Sequence, residues 1–391
     1  MKQVRFGIVG VGVIGNLHAR VITAAKDRSF RLAAVADIHR SRAKQASETY
    51  GVPCFLSGQE MFESGQIDAV IIATPHYWHP VLAIQAARAG LHALTEKPMA
   101  SSVGPARAMI AECRKRKVAL GVMFQMRAQG VMMKMKQMVD AGRLGEVFRV
   151  SMICSSWYRT QFYYNSGAWR GTWDGEGGGV LINQAPHNLD VFAWIGGMPK
   201  SLIAAVDTRL HKIEVENTAN VICDYGRGKH GYIYATTAEA PGLNQLMVCG
   251  DKGTLVAEGG KLRFAKLKMP ISRHIMTSRE MFTHLSGEWS DVKITKDPGG
   301  GHINVTRNFA QHIRRGKPLL APGSEGVNEL ELSNAVYLSG YENRPVKLPV
   351  NAKEMEKLLD RLVRTRSTGK GRNLRAQASR ELTRLLGKYP A

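Results

Sequence analysis

Apolar residues in the first third of the chain form short unbroken runs that alternate with segments of helical spacing. Such runs predict strands of a parallel sheet with helices on both faces, since a strand covered on both sides carries apolar side chains at consecutive positions. The predicted strands are Val4–Gly10, Arg31–Asp37, Asp68–Thr74, His92–Thr95 and Val118–Phe124. The predicted helices are Val13–Ala25, His39–Tyr50, Trp78–Ala89 and Val103–Arg116. Residues 1–126 are therefore predicted to be a doubly wound α/β domain.

After residue 126 a Met-rich segment of helical spacing leads into longer strand-like stretches. We expect the methionines to pack in a helix core rather than to bind a metal. The predicted strands are Glu146–Trp157, Ser201–Leu210, Thr218–Tyr225, His230–Thr237, Gln245–Cys249 and Thr254–Phe264. Together they predict a second α/β domain, residues 127–350, with an open and mostly antiparallel sheet. Because a broad sheet face must be covered, we expect a homodimer or homotetramer that associates through this sheet.

Composition is that of a globular protein, with 391 residues, 44% hydrophobic and 22% charged. No apolar run approaches the roughly 20 residues that a membrane helix needs, and the start of the chain has no signal-peptide pattern. The five cysteines are scattered and never spaced as C-x-x-C, which argues against a disulfide framework or a zinc site. These features predict a cytoplasmic protein without a metal.

The net charge of +22 is high enough to raise the question of a nucleic-acid partner. Residues 351–391 carry 11 Lys and Arg against 4 Asp and Glu, mixed with leucines, and are predicted to be a basic, helical and solvated extension. No helix-turn-helix, zinc-finger or RNA-binding aromatic signature accompanies the charge. A nucleic-acid partner is therefore not expected.

The first strand is followed by Gly10-Val11-Gly12-Val13-Ile14-Gly15 at the start of the first helix. In this context the glycines permit a tight turn, a close approach of backbone to pyrophosphate and close helix–strand packing. Asp37 ends the second strand, where its carboxylate would bind the adenosine ribose hydroxyls and repel a 2′-phosphate. The motif therefore predicts a dinucleotide, with NAD favoured over NADP; His39 and Arg40 leave NADP possible.

Candidate chemistry lies at the ends of the next three strands, where open α/β sheets bind their ligands. These segments are Thr74-Pro75-His76-Tyr77-Trp78-His79, Glu96-Lys97-Pro98 and Gln125-Met126-Arg127. The second domain adds Trp169-Arg170 and, four residues apart on one predicted helical face, Asn183 and His187. His302 is a further candidate for reaching the site.

With these motifs the chain resembles the Gfo/Idh/MocA family of oxidoreductases, from residue 4 to about residue 350. The resemblance rests on the conjunction of G-x-G-x-x-G, T-P-x-x-x-H, E-K-P and G-G-x(7)-H. It implies a Rossmann domain joined to an open-faced α/β domain, and it implies sugars, sugar nucleotides or cyclic polyols as substrates.

The resemblance also implies roles for individual residues. Lys97 matches the lysine that contacts the reacting hydroxyl, and His187 matches the histidine that exchanges its proton. Asn183 stands where many relatives have an aspartate, and an amide cannot take up a proton. Asn183 is then left to hydrogen-bond a sugar hydroxyl or to orient His187, as the third member of the candidate catalytic set. His76 stands where an asparagine is common.

The remaining candidates divide between cofactor and substrate. The cofactor set is Gly10, Gly12, Val13, Ile14, Gly15, Asp37, Thr74, Pro75, His76, His79, Glu96, Lys97, Gln125, Trp169 and Arg170. The substrate set is Lys97, Arg127, Tyr158, Trp169, Asn183 and His187, next to a loop rich in aromatic residues that is either a small core or a platform for a sugar ring. Arg159 and Arg170 in this loop would suit an acidic or nucleotide-linked sugar.

The prediction is therefore an NAD(P)-dependent dehydrogenase or reductase that transfers a hydride between nicotinamide and a secondary hydroxyl or keto group of a sugar, sugar derivative or cyclitol. Two alternatives stay open. One is a glycosidase that retains NAD and acts by transient oxidation and elimination. The other is a non-catalytic NAD-binding regulator.

Overall fold

The structure is a computed structural model that describes residues 3–294, 301–371 and 373–387. The first part of the chain contains β1 (Val4–Val9), α1 (Val13–Ala24), β2 (Phe30–Ala36), α2 (Arg40–Tyr50), β3 (Cys54–Phe55), α3 (Gly58–Glu63), β4 (Ala69–Ile72), α4 (Trp78–Arg88), β5 (His92–Thr95), α5 (Val103–Lys115) and β6 (Leu120–Val122). A short 3₁₀ helix, Gln125–Ala128, leads out of it. Every strand and helix predicted here from the apolar pattern is present, within a few residues at each end.

The first sheet has six parallel strands in the order β3-β2-β1-β4-β5-β6. This is the Rossmann strand order, and the prediction of a doubly wound domain is confirmed. The order reverses between β1 and β4, which pair from Phe6 to Val9 along β1. The crevice at this reversal lies beyond the carboxyl ends of the strands, where ligands of this fold bind.

The second part of the chain is built around a larger sheet. Its elements are α6 (Gly130–Asp140), β7 (Val147–Cys154), α7 (Gln161–Asn165), α8 (Val180–Asn183), α9 (Pro186–Gly196), β8 (Ser201–Asp207), β9 (Thr218–Gly226), β10 (Lys229–Thr236), β11 (Asn244–Gly250), β12 (Gly253–Glu258), β13 (Lys261–Leu267), α10 (Ile271–Thr277), β14 (Gly287–Asp291), α11 (Gly301–Arg315), α12 (Gly323–Glu342) and β15 (Val346–Lys347). The nine strands run in the order β14-β13-β12-β11-β7-β10-β9-β8-β15. Among the strands of this sheet that the structure describes, only β7 and β10 pair in parallel, so the prediction of an open, mostly antiparallel sheet is confirmed.

One predicted strand is wrong. The stretch Thr254–Phe264 is two strands, β12 and β13, which form a hairpin. Gly259 and Gly260 make the turn with φ values of +54° and +76°, a conformation that L side chains adopt only with strain. The apolar pattern continues on both sides of this turn, and for that reason the run looked unbroken.

The chain returns to the Rossmann core after the large sheet. On α11, Val305, Phe309 and Ala310 are buried in the same apolar cluster as Phe6 and Ile8. The predicted domain limits at residues 126 and 350 remain a prediction, but the packing of α11 shows that the first core is completed by a segment from far along the chain. In the described ranges, no helix is long and apolar enough to cross a membrane.

The last part of the chain forms two helices, α13 (Ala352–Arg366) and α14 (Leu374–Leu386). The prediction of a helical extension is confirmed for the described residues, but its description as a solvated appendage is wrong. Leucines of both helices face inward, and α14 packs on α4 of the Rossmann domain. The buried apolar residues are Met355, Leu358, Leu359, Leu362, Ala378 and Leu382.

We expect Leu382→Ala to lower the free energy of unfolding by about 2–4 kcal/mol, because it removes a side chain that is 3% exposed and leaves a cavity against the first domain. Chemical denaturation measures this. Arg380→Ala, at an exposed position of the same helix, should stay within about 0.5 kcal/mol of the unsubstituted protein. Equal effects of the two substitutions would show that α14 is not packed in solution.

Candidate active site

The glycines of the first βα turn have the three different environments that a dinucleotide cradle requires. Gly10 has a φ of +86°, and a Cβ there would lie 2.7 Å from the backbone oxygen of Ala73. A Cβ on Gly15 would lie 1.8 Å from the Gly10 oxygen, so only glycine lets α1 approach β1 this closely. A Cβ on Gly12 would meet nothing within 4 Å. The space next to Gly12 is where a pyrophosphate would approach the backbone.

The rest of the cradle fits the adenosine end of a dinucleotide. Val13 and Ile14 start α1, where the N-cap Gly12 provides no side-chain hydrogen bond to the first-turn amides, and Val13 is 93% exposed. Asp37 lies just beyond β2, and its carboxylate accepts hydrogen bonds from Val11 N (3.0 Å) and His39 N (2.8 Å). This carboxylate is fixed beside the glycine turn and retains lone pairs for ribose hydroxyls.

We expect Gly12→Val to weaken NAD binding at least tenfold, about 1.4 kcal/mol, without lowering the melting temperature, because the added side chain meets the ligand and not the protein. Gly15→Ala should lower both NAD affinity and melting temperature, because its Cβ meets the Gly10 oxygen. Calorimetric titration and thermal denaturation separate the two cases. Unchanged NAD affinity in Gly12→Val would contradict the placement of the cradle.

The turn after β4 carries the predicted residues from Thr74 to His79. Thr74 Oγ1 is buried without a hydrogen-bond partner among the described residues, which suits a group that contacts a ligand. Pro75 begins the turn, and its oxygen accepts from Trp78 N at 3.0 Å. The ring of His79 is fully buried and lies 2.8 Å from both Thr74 O and Pro98 O, so it joins the turns that follow β4 and β5.

His76 reaches toward the second domain. Its Nδ1 donates to the backbone oxygen of Glu176 at 2.9 Å, and its ring packs edge-on to Trp169 at 5.7 Å. Burial lowers the pKa of His76 well below its usual value, and the nearby charges of His79 and Lys97 lower it further. The ring is therefore neutral at physiological pH, with Nε2 as an acceptor.

Glu96 forms a buried pair with His18 of α1, at 2.7 Å from its Nε2. Burial by itself would raise the pKa of Glu96, but the His18 hydrogen bond and the charges of His18 and Lys97 outweigh it and lower the pKa to about 2. His302, from the start of α11, packs edge-on to His18 at 5.4 Å. The candidate His302 thus lies beside this pair. The second Glu96 oxygen accepts from Lys97 N, which holds the E-K-P turn in place.

Lys97 connects the two domains at the centre of the site. Its ammonium donates to the backbone oxygen of Asn183 at 2.6 Å. Burial lowers the pKa of Lys97, and the charge of Glu96 opposes this shift. The structure therefore places Lys97 of the E-K-P motif against the end of α8, which carries Asn183.

His187 lies in the first turn of α9, with Nε2 2.9 Å from Gln125 Nε2. Its Nδ1 and the amide oxygen of Gln125 are buried with no partner among the described residues. Burial, followed by the charge of Lys97, lowers the pKa of His187 to about 3. The imidazole is neutral at pH 7 and can accept a proton.

The side chain of Asn183, at the end of α8, contacts Glu176, which the sequence analysis missed. Its Nδ2 donates to Glu176 Oε1 and lies 3.3 Å from Tyr163 OH. Burial raises the pKa of Glu176 to about 7, although Gly171 N, Asn183 and two nearby cations favour the charged form. The sequence carried one signal for Glu176, because this residue directly precedes the glycine run Gly177-Gly178-Gly179.

The substrate side combines aromatic rings with two arginines. Arg170 lies over the rings of Trp169 (4.5 Å) and Tyr163 (4.4 Å), and its Nη1 donates to Tyr163 OH at 2.6 Å. Arg159 lies over Tyr163 as well, at 4.8 Å. Tyr158 is 53% exposed at the rim. Tyr163 was missed as an individual residue, although the aromatic loop that contains it was singled out.

Arg127, which was predicted to contact the substrate, is instead bonded to carboxylates of the protein. It is 1% exposed, and its guanidinium donates to both oxygens of Asp190 (2.7 and 2.9 Å) and to Glu325. These bonds use the donors that a substrate would need. The geometry favours a structural role, in which Arg127 joins the 3₁₀ helix to α9 and α12.

Comparisons with known proteins agree with this fold. The family model described as "Oxidoreductase family, NAD-binding Rossmann fold" matches residues 4–124, and the "GFO/IDH/MocA C-terminal domain" matches residues 132–256. The WlbA dehydrogenase from Chromobacterium violaceum, solved with NADH and UDP-GlcNAcA, is 30% identical with a TM-score of 0.77, covering 90% of this chain and 97% of that one. The WlbA dehydrogenase from Bordetella pertussis, solved with the same two ligands, is 29% identical with a TM-score of 0.75, covering 89% and 100%.

Among curated proteins, the chain is 26% identical over 352 residues to inositol 2-dehydrogenase from Rhizobium meliloti, covering 88% of this chain and 99% of that protein. The fold and site define an NAD-binding oxidoreductase. More particularly, the chain belongs to the Gfo/Idh/MocA family, as its motifs indicate.

Proposed function

We propose that the protein is an NAD-dependent dehydrogenase that oxidises a secondary hydroxyl of a sugar or cyclitol ring, or reduces the corresponding ketone. The observation that carries this proposal is the convergence of Lys97, His187 and Asn183 beside the Rossmann crevice, with Lys97 bonded to the Asn183 backbone. The bound nicotinamide would accept or return the hydride. The protein residues then need only to bind the ring, move one proton and stabilise the charge on oxygen.

The proton step is assigned to His187. Its neutral ring accepts the hydroxyl proton as the C–H hydride leaves, which converts the alcohol to a ketone with one proton held on the imidazole. The ammonium of Lys97 stabilises the negative charge that develops on the oxygen, and in the reverse direction it polarises the carbonyl. The low pKa of His187 favours return of this proton to solvent after the reaction.

The aromatic loop is assigned to ring binding. Sugar rings present C–H faces that pack on aromatic faces, and Trp157, Tyr163 and Trp169 lie in this loop. Arg159 and Arg170 add positive charge, and Arg159 Nε is buried without a partner among the described residues. These two guanidinium groups favour a ring with a carboxylate or a phosphate-linked group over a neutral polyol.

The test measures reduced nicotinamide with NAD and NADP against myo-inositol, scyllo-inositol, glucuronic acid and UDP-GlcNAcA. We expect turnover with NAD, and higher kcat/KM for the acidic rings. Lys97→Ala should lower kcat/KM by about 10²–10⁴-fold and leave the NAD affinity within twofold. Lys44→Ala, an exposed lysine of α2, is the matched control and should change neither. No turnover with any ring in either direction would reject the proposal.

We also propose that a second copy of the chain covers the open face of the large sheet. Ile203, Ile222 and Tyr232 are paired side by side on β8, β9 and β10. They are 48%, 51% and 44% exposed, so they form an apolar row across three strands. Such a row is costly to leave in water.

All five cysteines are free thiols, which supports a reducing cytoplasmic location.

Ile222→Lys should convert the oligomer to monomers, because the new charge would be buried in the middle of the apolar row. Sedimentation velocity measures the change. Gln45→Lys, at an exposed position of α2 in the other domain, adds the same charge and should leave the oligomer intact. A protein that is monomeric without any substitution would contradict this assignment.

A further inference from the structure

Glu176 is a buried carboxyl group in direct contact with the candidate catalytic set. It is 1% exposed. One of its oxygens accepts from Gly171 N at 2.6 Å, and the other accepts from the side-chain amide of Asn183. The backbone of Asn183 is in turn bonded to the Lys97 ammonium. The chain therefore keeps a carboxyl group next to the reacting centre even though residue 183 itself is an amide.

The loop that carries Glu176 is held firmly on several sides. Trp173 donates from its backbone to Glu214 at 3.2 Å, and its oxygen accepts from Tyr77 OH at 2.7 Å. The oxygen of Asp174 accepts from Arg375 N at the start of α14. These contacts come from the Rossmann domain, from the large-sheet domain and from the C-terminal extension. They hold the backbone that precedes Glu176, and the Gly171 amide holds its carboxyl group.

The amide of Asn183 offers two different faces, an NH₂ group that donates and an oxygen that accepts. An ionised Glu176 accepts from the NH₂ group, which leaves the Asn183 oxygen on the side of the amide away from the Glu176 carboxylate. A protonated Glu176 instead donates to the Asn183 oxygen, which turns the NH₂ group outward. Tyr163 OH lies 3.3 Å from the same amide and, as a hydroxyl, can bond either face.

The charged and titratable groups that face Glu176 come from every neighbouring element. Lys97 from the β5 turn and Arg170 from the aromatic loop favour its ionised form. The negative charge of Glu176 helps to raise the pKa of Tyr164 on α7, and His76 from the β4 turn bonds the Glu176 backbone oxygen. Burial outweighs the two cations, so the pKa of Glu176 lies near 7, where both forms are populated. Glu216, whose pKa burial also raises to about 7, bonds the backbone at Gly179 and Leu181 and not the Asn183 side chain.

We propose that Glu176 is a positioning residue whose protonation state selects which face of the Asn183 amide meets the substrate. An alcohol hydroxyl donates a hydrogen bond and therefore needs an acceptor. A ketone oxygen, or an acceptor group beside it, needs a hydrogen-bond donor. Ionised Glu176 thus favours binding of the polyol, and protonated Glu176 favours binding of the ketone. This inference rests on the proposed function for its catalytic consequence, but the change at Asn183 itself does not require turnover.

The first test follows the Asn183 side chain directly by NMR, without substrate. Selective ¹⁵N-asparagine labelling shows the side-chain NH₂ signals, and Asn183→Asp identifies the signal of interest by its loss. We expect this signal to shift with pH through a midpoint near 7. Glu176→Gln should abolish the shift. Glu214→Gln, a buried carboxylate that supports the same loop without contacting Asn183, is the matched control and should retain it.

The second test separates KM from kcat. For the ring polyol that the protein oxidises, KM should rise about tenfold from pH 8 to pH 6, as expected for binding to a form that is lost below a pKa near 7. In Glu176→Gln, KM should vary less than twofold over this range, whereas Glu214→Gln should follow the unsubstituted protein. Melting temperatures confirm that each variant is folded.

The outcomes distinguish this inference from the proposed function. A pH-independent Asn183 signal, or a shift that persists in Glu176→Gln, would overturn the inference whether or not the protein oxidises sugars. A shift that Glu176→Gln abolishes, together with no turnover of any ring, would reject the proposed function and support the coupling between Glu176 and Asn183. A shift abolished by Glu176→Gln with a KM profile unchanged by it would overturn the role in substrate binding.

Discussion

The hydrogen bond from Lys97 to the backbone oxygen of Asn183 is the contact on which the site depends. Lys97 follows β5 of the Rossmann sheet by two residues, and Asn183 ends a short helix of the second domain. Because the ammonium is partly buried there, loss of this acceptor would leave a charged donor unsatisfied, which is costly. Together with the bonds from His76 to Glu176 and from Gln125 to His187, this bond joins the cofactor domain to the residues that would hold the substrate.

Titratable groups near that bond have pKa values that are shifted in opposite directions. The pKa of Glu96 is lowered to about 2 by its pairing with His18, whereas the pKa of Glu176 is raised to about 7 by burial. His187 is kept neutral by burial next to Lys97. The site therefore contains a permanent anion, a neutral proton acceptor and a carboxyl that changes state near neutrality. Such separation of pKa values is typical of sites that move protons.

The C-terminal extension adds a structural constraint to this arrangement. Its basic composition suggested a solvated tail, yet Leu358 and Leu382 are buried. Arg375 illustrates why charge misled the prediction: it pairs with Glu356 and Asp360 of the preceding helix, and its backbone bonds the Asp174 oxygen. Part of the positive charge thus joins α13 to α14, and the backbone of Arg375 joins α14 to the loop that carries Glu176.

The sequence by itself determined the Rossmann fold, the glycine cradle and the family, because these rest on local patterns: apolar runs, a glycine spacing and motifs at strand ends. It also singled out Lys97, Asn183 and His187 as candidates, and their catalytic roles remain predictions. Only the tertiary structure decided the environment of each residue. It buried Arg127 in an ion pair with Asp190 and brought Glu176 against Asn183. Burial and neighbouring charges arise from segments far apart in the chain, and no local pattern encodes them.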